Sequence, residues 1–283
     1  MKKVLAVLCC AVLLSACSSN GANSTPSETN TASSEATTTP SETNTAEEAK
    51  VQGNYTDEMK IPYAVDLSEE DGSDSVERDG DHPGSPYFSQ LDFYNAESTD
   101  TLTILPKFKT MQQTSEWSCG VTASLMVMNY FDKLGQFDEK SLAEMRYNEL
   151  TPEATSLASI EKIFDEVGGF ETTSTFDYAD KMDEISLGMI ESTLKEGYPM
   201  IVAWNDWGGH WQVIIGYDNM GTETTQDDVI IVADSYDTTD HNQDGYGVYG
   251  AERFFYNWTM YDFFENMGVE NERDCLFLIA RPN

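Results

Sequence analysis

The stretch Gln112–Phe131, QQTSEWSCGVTASLMVMNYF, sets one cysteine, followed by glycine, at the mouth of a long apolar run. The run from Ser118 to Leu134 predicts a helix that is apolar nearly all round and therefore central. Cys119 then sits at its start. A sulfur there faces unpaired backbone N–H groups and the positive end of the helix dipole, which favour a thiolate. A buried structural thiol or half of a disulfide would explain the same cysteine, so the rest of the chain has to decide.

The chain has 283 residues, five cysteines, three histidines and a formal net charge of −34. So acidic a chain repels nucleic acid and anionic surfaces, and no nucleic-acid partner is expected. The opening MKKVLAVLCCAVLLSAC reads as a signal peptide: two lysines, a short apolar stretch and small residues before Cys17. Leu14-Ser15-Ala16-Cys17 resembles a bacterial lipobox. That resemblance implies cleavage after residue 16, lipid on Cys17 and a domain held outside the cytoplasm at the cell envelope. The membrane is then a partner through the lipid alone, since no later stretch is apolar for about eighteen residues. Cys9 and Cys10 leave with the signal. Cys119 and Cys275 remain, and Cys275 lies in an apolar run that reads as a buried strand, which argues against their pairing.

Four regions follow: a signal peptide at 1–16, a tether at 17–50, an acidic arm or linker at 51–85, and one domain at 86–283. The tether repeats TPSETNTA and is too poor in large apolar residues to bury a core. Residues 51–85 leave a pro-segment, an ordered arm and further linker open. Within the domain, helices are expected at Ser118–Leu134, Asp138–Leu150, Ser156–Val167 and Asp183–Glu196. Strands are expected at Met200–Trp204, Trp211–Tyr217, Val229–Ala233, Arg253–Tyr256 and Leu276–Ala280. Helices first and strands second predict an α+β fold, a helical half packed on an antiparallel sheet.

A thiolate nucleophile wants a base, usually histidine. His82 lies in the acidic segment and His241 in a turn. His210, in NDWGGHWQVIIGYD, opens an apolar strand behind two glycines and is the one held rigidly. Asp234 ends the next strand, where it would orient the imidazole; Asp218, Asn205 and Asp237 are alternatives for that place. Gln113, six residues before Cys119, would donate to an oxyanion. Taken singly, these read as a loop glutamine, a strand-end histidine and a turn aspartate.

Together, Gln113-x5-Cys119-Gly120, GGHWQVIIGYD and VADSYD resemble the papain-like cysteine peptidases. The closest resemblance is to the branch related to bacteriocin-leader (double-glycine) peptidases, from about Leu105 onward. The resemblance implies a papain-like fold and a peptide or protein substrate. It implies Cys119 as nucleophile, His210 as base, Asp234 as orienting acid and Gln113 as oxyanion donor. Leader-processing members are domains fused to transporters; no transporter appears in this sequence, so their substrate does not carry over. A ligand-binding lipoprotein on the same fold, acyl transfer and cell-wall peptide cleavage are the competing expectations.

No cofactor is required by that chemistry. Asp240, Asn242 and Asp244 with Gly245 match the first half of a calcium loop, but Ala251 stands where the closing glutamate belongs. The same residues also suit a polar hairpin turn. The aromatic run ERFFYNWTMYDFFENMG reads as core packing.

Overall fold

The computed structural model describes residues 57–62, 64–73, 86–87, 91–238, 243–260 and 271–283. Contacts divide the chain into two units, Met1–Glu47 and Glu48–Asn283, and every described residue belongs to the second. The stretches expected to be a signal peptide and a tether, with Cys17, lie outside the described residues.

In chain order the elements are β1 (Leu102–Ile104), α1 (Cys119–Tyr130), α2 (Glu139–Glu144), α3 (Leu157–Val167), β2 (Phe170–Ser174), α4 (Leu187–Lys195), β3 (Met200–Trp204), β4 (His210–Asp218), β5 (Val229–Ala233), β6 (Tyr246–Gly250), α5 (Ala251–Trp258) and β7 (Leu276–Pro282). Seven strands form one sheet in the order β2-β7-β3-β4-β5-β6, with β1 paired to β4. Every strand pair is antiparallel. β1 pairs with Gly216–Asp218, beyond the point where β3 stops. The α+β expectation holds.

α1 lies against β4. Its residues from Cys119 to Met128 are all buried, so the nearly uniform apolarity of this stretch reflects a helix at the centre of the fold. β3 is buried along its whole length, and β4 along all but its last residue. Their near-continuous apolar runs fit strands covered on both faces.

Three expectations need correction. Arg253–Tyr256 is not a strand but the middle of α5. Ala251, Phe254 and Trp258 are buried at helical spacing while Tyr256 points outward. Short aromatic runs do not separate the two periods by themselves. Helix α2 stops at Glu144 instead of reaching Leu150. The carbonyls of Glu149, Thr151 and Glu153 bond to the Arg146 guanidinium, which holds the following stretch in an irregular loop. Helix α4 starts only at Leu187, because Ser186 caps it by accepting from the Met189 N–H; Met182–Glu184 is a separate 3-10 turn. Strands β1, β2 and β6 were not foreseen.

Residues 57–62 and 64–73 form an arm beside the segment that leads to Cys119. Ile61 N donates to Thr110 O at 2.8 Å, and Thr110 N to Met59 O at 2.9 Å. Met59 is 1% exposed. Further along, Leu67 N bonds Thr114 Oγ1 at 2.9 Å.

Candidate active site

Cys119 is the first residue of α1, 8% exposed, and it is unpaired. No side chain among the described residues caps this helix; the Ser118 hydroxyl turns back to the Ser115 carbonyl instead. The first turn of α1 carries no acidic residue. Cys119 therefore sits at a helix N-terminus whose positive end carries no acidic residue of its own. Below the loop, the buried Glu139 carboxylate accepts from Thr114 N (3.2 Å), Thr114 Oγ1 (2.7 Å) and Thr122 Oγ1 (3.1 Å), pinning the loop to the helix. Burial raises the Glu139 pKa above its ordinary 4.5, against these hydrogen bonds.

His210 opens β4 and Asp234 follows β5, so the antiparallel β4–β5 pairing brings them to one end of the sheet. His210 Nε2 lies 2.7 Å from Asp234 Oδ1. With Nε2 on Asp234, Nδ1 is the ring nitrogen left to face Cys119, which lines the same cleft. Burial alone would lower the His210 pKa, but Asp234 and then Cys119 carry it well above 6.5. For Asp234, burial works upward. The His210 charge and hydrogen bonds from His210, Tyr236 N and Gln212 outweigh it and hold the carboxyl below 3.8.

Gln212, two residues along β4 and on the same strand face as His210, braces Asp234 and is a residue that sequence reasoning missed. Its Nε2 donates to Asp234 Oδ2 at 2.8 Å and reaches Asp206 Oδ2 at 3.2 Å. Its own carbonyl is held by Trp204 Nε1 at 2.7 Å. Its place at i+2 from His210 was the available signal. Asp206, also missed, accepts from Tyr249 Oη at 3.1 Å; burial, then the Asp234 charge, raises its pKa.

Gln113 is held at its backbone and at both ends of its side-chain amide. Nε2 donates to Ser115 O at 2.8 Å, Oε1 accepts from Ser235 Oγ at 2.8 Å, and its backbone N–H meets Ser235 O at 2.8 Å. Ser235 adjoins Asp234, so the glutamine loop and the aspartate loop are one hydrogen-bonded unit. Ser73 of the arm closes that unit: its hydroxyl donates to Ser235 O at 2.7 Å, and its N–H to Gln113 O at 3.1 Å. Alongside lies a cleft of about 290 Å³ whose walls include Cys119, His210, Trp211, Trp117, Glu116 and Asp71, the last from the arm.

The other aspartates serve turns or lie elsewhere. Asp218 Oδ1 accepts from Met220 N, and Asp237 Oδ2 from Gly245 N. Asn205 faces a second cavity beside Asp206. Asp244 is buried and its Oδ1 accepts from Tyr246 N at 3.0 Å; Asp240 and Asn242 lie outside the described residues. Among the described residues no cluster of His, Cys, Asp and Glu is arranged to hold a metal. Cys275 is buried just before β7, and burial, then Asp274, pushes its thiol up to about 12.

An antiparallel α+β fold with a cysteine at the head of its central helix, facing a histidine at a strand end, defines a papain-like peptidase domain. The chain belongs to the Peptidase_C39 like family, whose model matches residues 86–263. No curated protein matches it.

Proposed function

We propose that this domain is a thiol hydrolase acting on a peptide or related amide, with Cys119 as nucleophile. The observation that carries the reading is the His210 imidazole, fixed by a buried carboxylate at 2.7 Å in the cleft that Cys119 also lines. His210 keeps the sulfur as a thiolate in an ion pair, and the sulfur attacks the carbonyl carbon. His210 then protonates the leaving amine as the acyl-enzyme forms. Asp234 holds the ring in orientation and stabilises its charged form. One Gln113 N–H is used by Ser115; the other, with the Cys119 backbone N–H, donates to the tetrahedral oxyanion. Water, activated by His210, hydrolyses the acyl-enzyme. No cofactor enters the chemistry.

The signal peptide and Cys17 support a domain tethered by lipid outside the cytoplasm. The first test is Cys119→Ala in the full chain, assayed on a fluorogenic peptide library. Turnover should vanish while the thermal transition is retained; an active, folded Cys119→Ala protein ends the proposal.

A further inference from the structure

One wall of the catalytic cleft comes from the irregular stretch 149–155, through Pro152 and Ala154. We propose that Arg146 is a positioning residue of the active site: its guanidinium shapes this wall and keeps a buried positive charge behind the nucleophile. The inference rests on the thiol hydrolase reading.

Arg146 is 1% exposed. Its N–H donors are spent on the loop. Nε donates to Glu149 O at 2.9 Å, and Nη1 to Glu153 O at 2.9 Å and Thr155 Oγ1 at 3.1 Å. Nη2 donates to Thr151 O at 2.9 Å and also to Glu149 O. These are all the hydrogen bonds a guanidinium can donate. Each acceptor is a carbonyl or a hydroxyl, so the charge is hydrogen-bonded but not neutralised by them. A buried cation left so is costly and needs an anion nearby. Its flat face stacks 4.2 Å from the ring of Trp117, a cleft residue two positions before Cys119. Burial brings the Arg146 pKa down to about 10, and the charge of Cys119, ahead of Glu153, works against that fall.

The loop that Arg146 holds reaches both reacting partners. Thr155 packs on Gly120, where an added Cβ would lie 2.9 Å from Thr155 Cβ. The Thr155 carbonyl accepts from Trp211 Nε1 at 2.8 Å. Gly120 follows Cys119 and Trp211 follows His210. One residue thus spans the nucleophile helix and the histidine strand, and Arg146 fixes it. The charged and titratable groups near Cys119 are then His210 from β4, Arg146 beyond the Trp117 ring with Glu153 beside it, and Glu116 and Asp71 at the cleft.

The probe is iodoacetamide, with peptide mapping to separate Cys119 from Cys275. The full chain carrying Arg146→Gln, Arg146→Lys or Thr155→Val is compared with the unmodified protein and His210→Ala, from about pH 5 to about pH 9. Arg146→Gln should slow alkylation of Cys119 about tenfold near pH 6 and displace its profile to higher pH, because the charge is gone. Arg146→Lys keeps the charge but not the fork of donors. Its profile should stay in place while the rate falls about threefold. A purely structural role would lower Tm and leave the profile unmoved, so a folded Arg146→Gln protein with the original profile overturns the proposal. Where the Arg146 variants do not fold, Thr155→Val decides: a rate about threefold lower on an unmoved profile supports it, and an unchanged rate overturns it. Failure of the hydrolase reading has a different signature, a His210→Ala protein that alkylates Cys119 at the original rate.

Discussion

His210 Nε2 stands 2.7 Å from Asp234 Oδ1, with His210 5% and Asp234 6% exposed. So short a contact between two buried groups fixes the ring's orientation and leaves Nδ1 for a second partner. Asp234→Asn keeps the shape but removes the charge that stabilises the imidazolium. It should lower kcat by about 10²–10⁴-fold with the fold retained. Steady-state kinetics beside a thermal melt check this; near-normal kcat would remove Asp234 from the mechanism.

The same pair sets a pH dependence of stability. The His210 pKa is raised above 6.5, so its contribution is full below about pH 6.5 and is lost as pH rises through the raised value. The Asp234 pKa is lowered below 3.8, so its contribution is full above about pH 3.8 and is lost as pH falls through the lowered value. Burial also raises Glu139 and Glu272 above 4.5, so ionising them opposes folding as pH climbs. All of these place maximum stability on the mildly acidic side. Tm should be higher near pH 5.5 than near pH 8. A Tm that increases across that interval would contradict the assignment.

Gln113 offers a separate test of the oxyanion role. Gln113→Ala should cost about 10²–10³-fold in kcat with KM little changed, as for other lost oxyanion donors. A loss confined to KM would point to substrate binding instead.

Gly120 is required by packing. An alanine Cβ there would approach Thr155 Cβ at 2.9 Å and Trp211 Cδ1 at 3.0 Å. Both side chains are buried, so Gly120→Ala should destabilise by about 1–3 kcal/mol. Urea denaturation measures it, and an unchanged midpoint would show that the loop yields.

The arm should behave as part of the folded unit. Met59→Ala, at a site 1% exposed, should cost about 2–5 kcal/mol. Ser73→Ala should cost only about 0.5–1.5 kcal/mol. Ser235 O keeps the Gln113 N–H, and Gln113 O keeps the Ser73 N–H. Denaturation midpoints equal to the unmodified protein for both variants would make the arm dispensable.

Much of this architecture is written in local residue order. The apolar run after Cys119 has to be a buried helix, and Met200–Trp204 and Val229–Ala233 begin and end where their apolar runs do. Gly168 and Gly169, both at positive φ, close α3 as their chemistry requires. Periodicity and turn chemistry act over a few residues, so they can be read from a few residues. The α5 error marks that limit: Arg253–Tyr256 is too short for its period to show, and burial of Phe254 and Trp258 against the core decided for helix.

The site divides the same way. Gln113, Cys119, His210 and Asp234 each stand at a local landmark: a loop, a helix start, a strand start and a strand end. Their partners carry no such mark. Gln212 meets Asp234 from 22 residues away, and Ser73 meets Ser235 across 162. Arg146 looks like any helix-end cation until its loop folds around it. Which side chains meet depends on strand order and on how the arm docks. Those are settled by burial and hydrogen bonding over the whole chain, a sum that no short stretch contains.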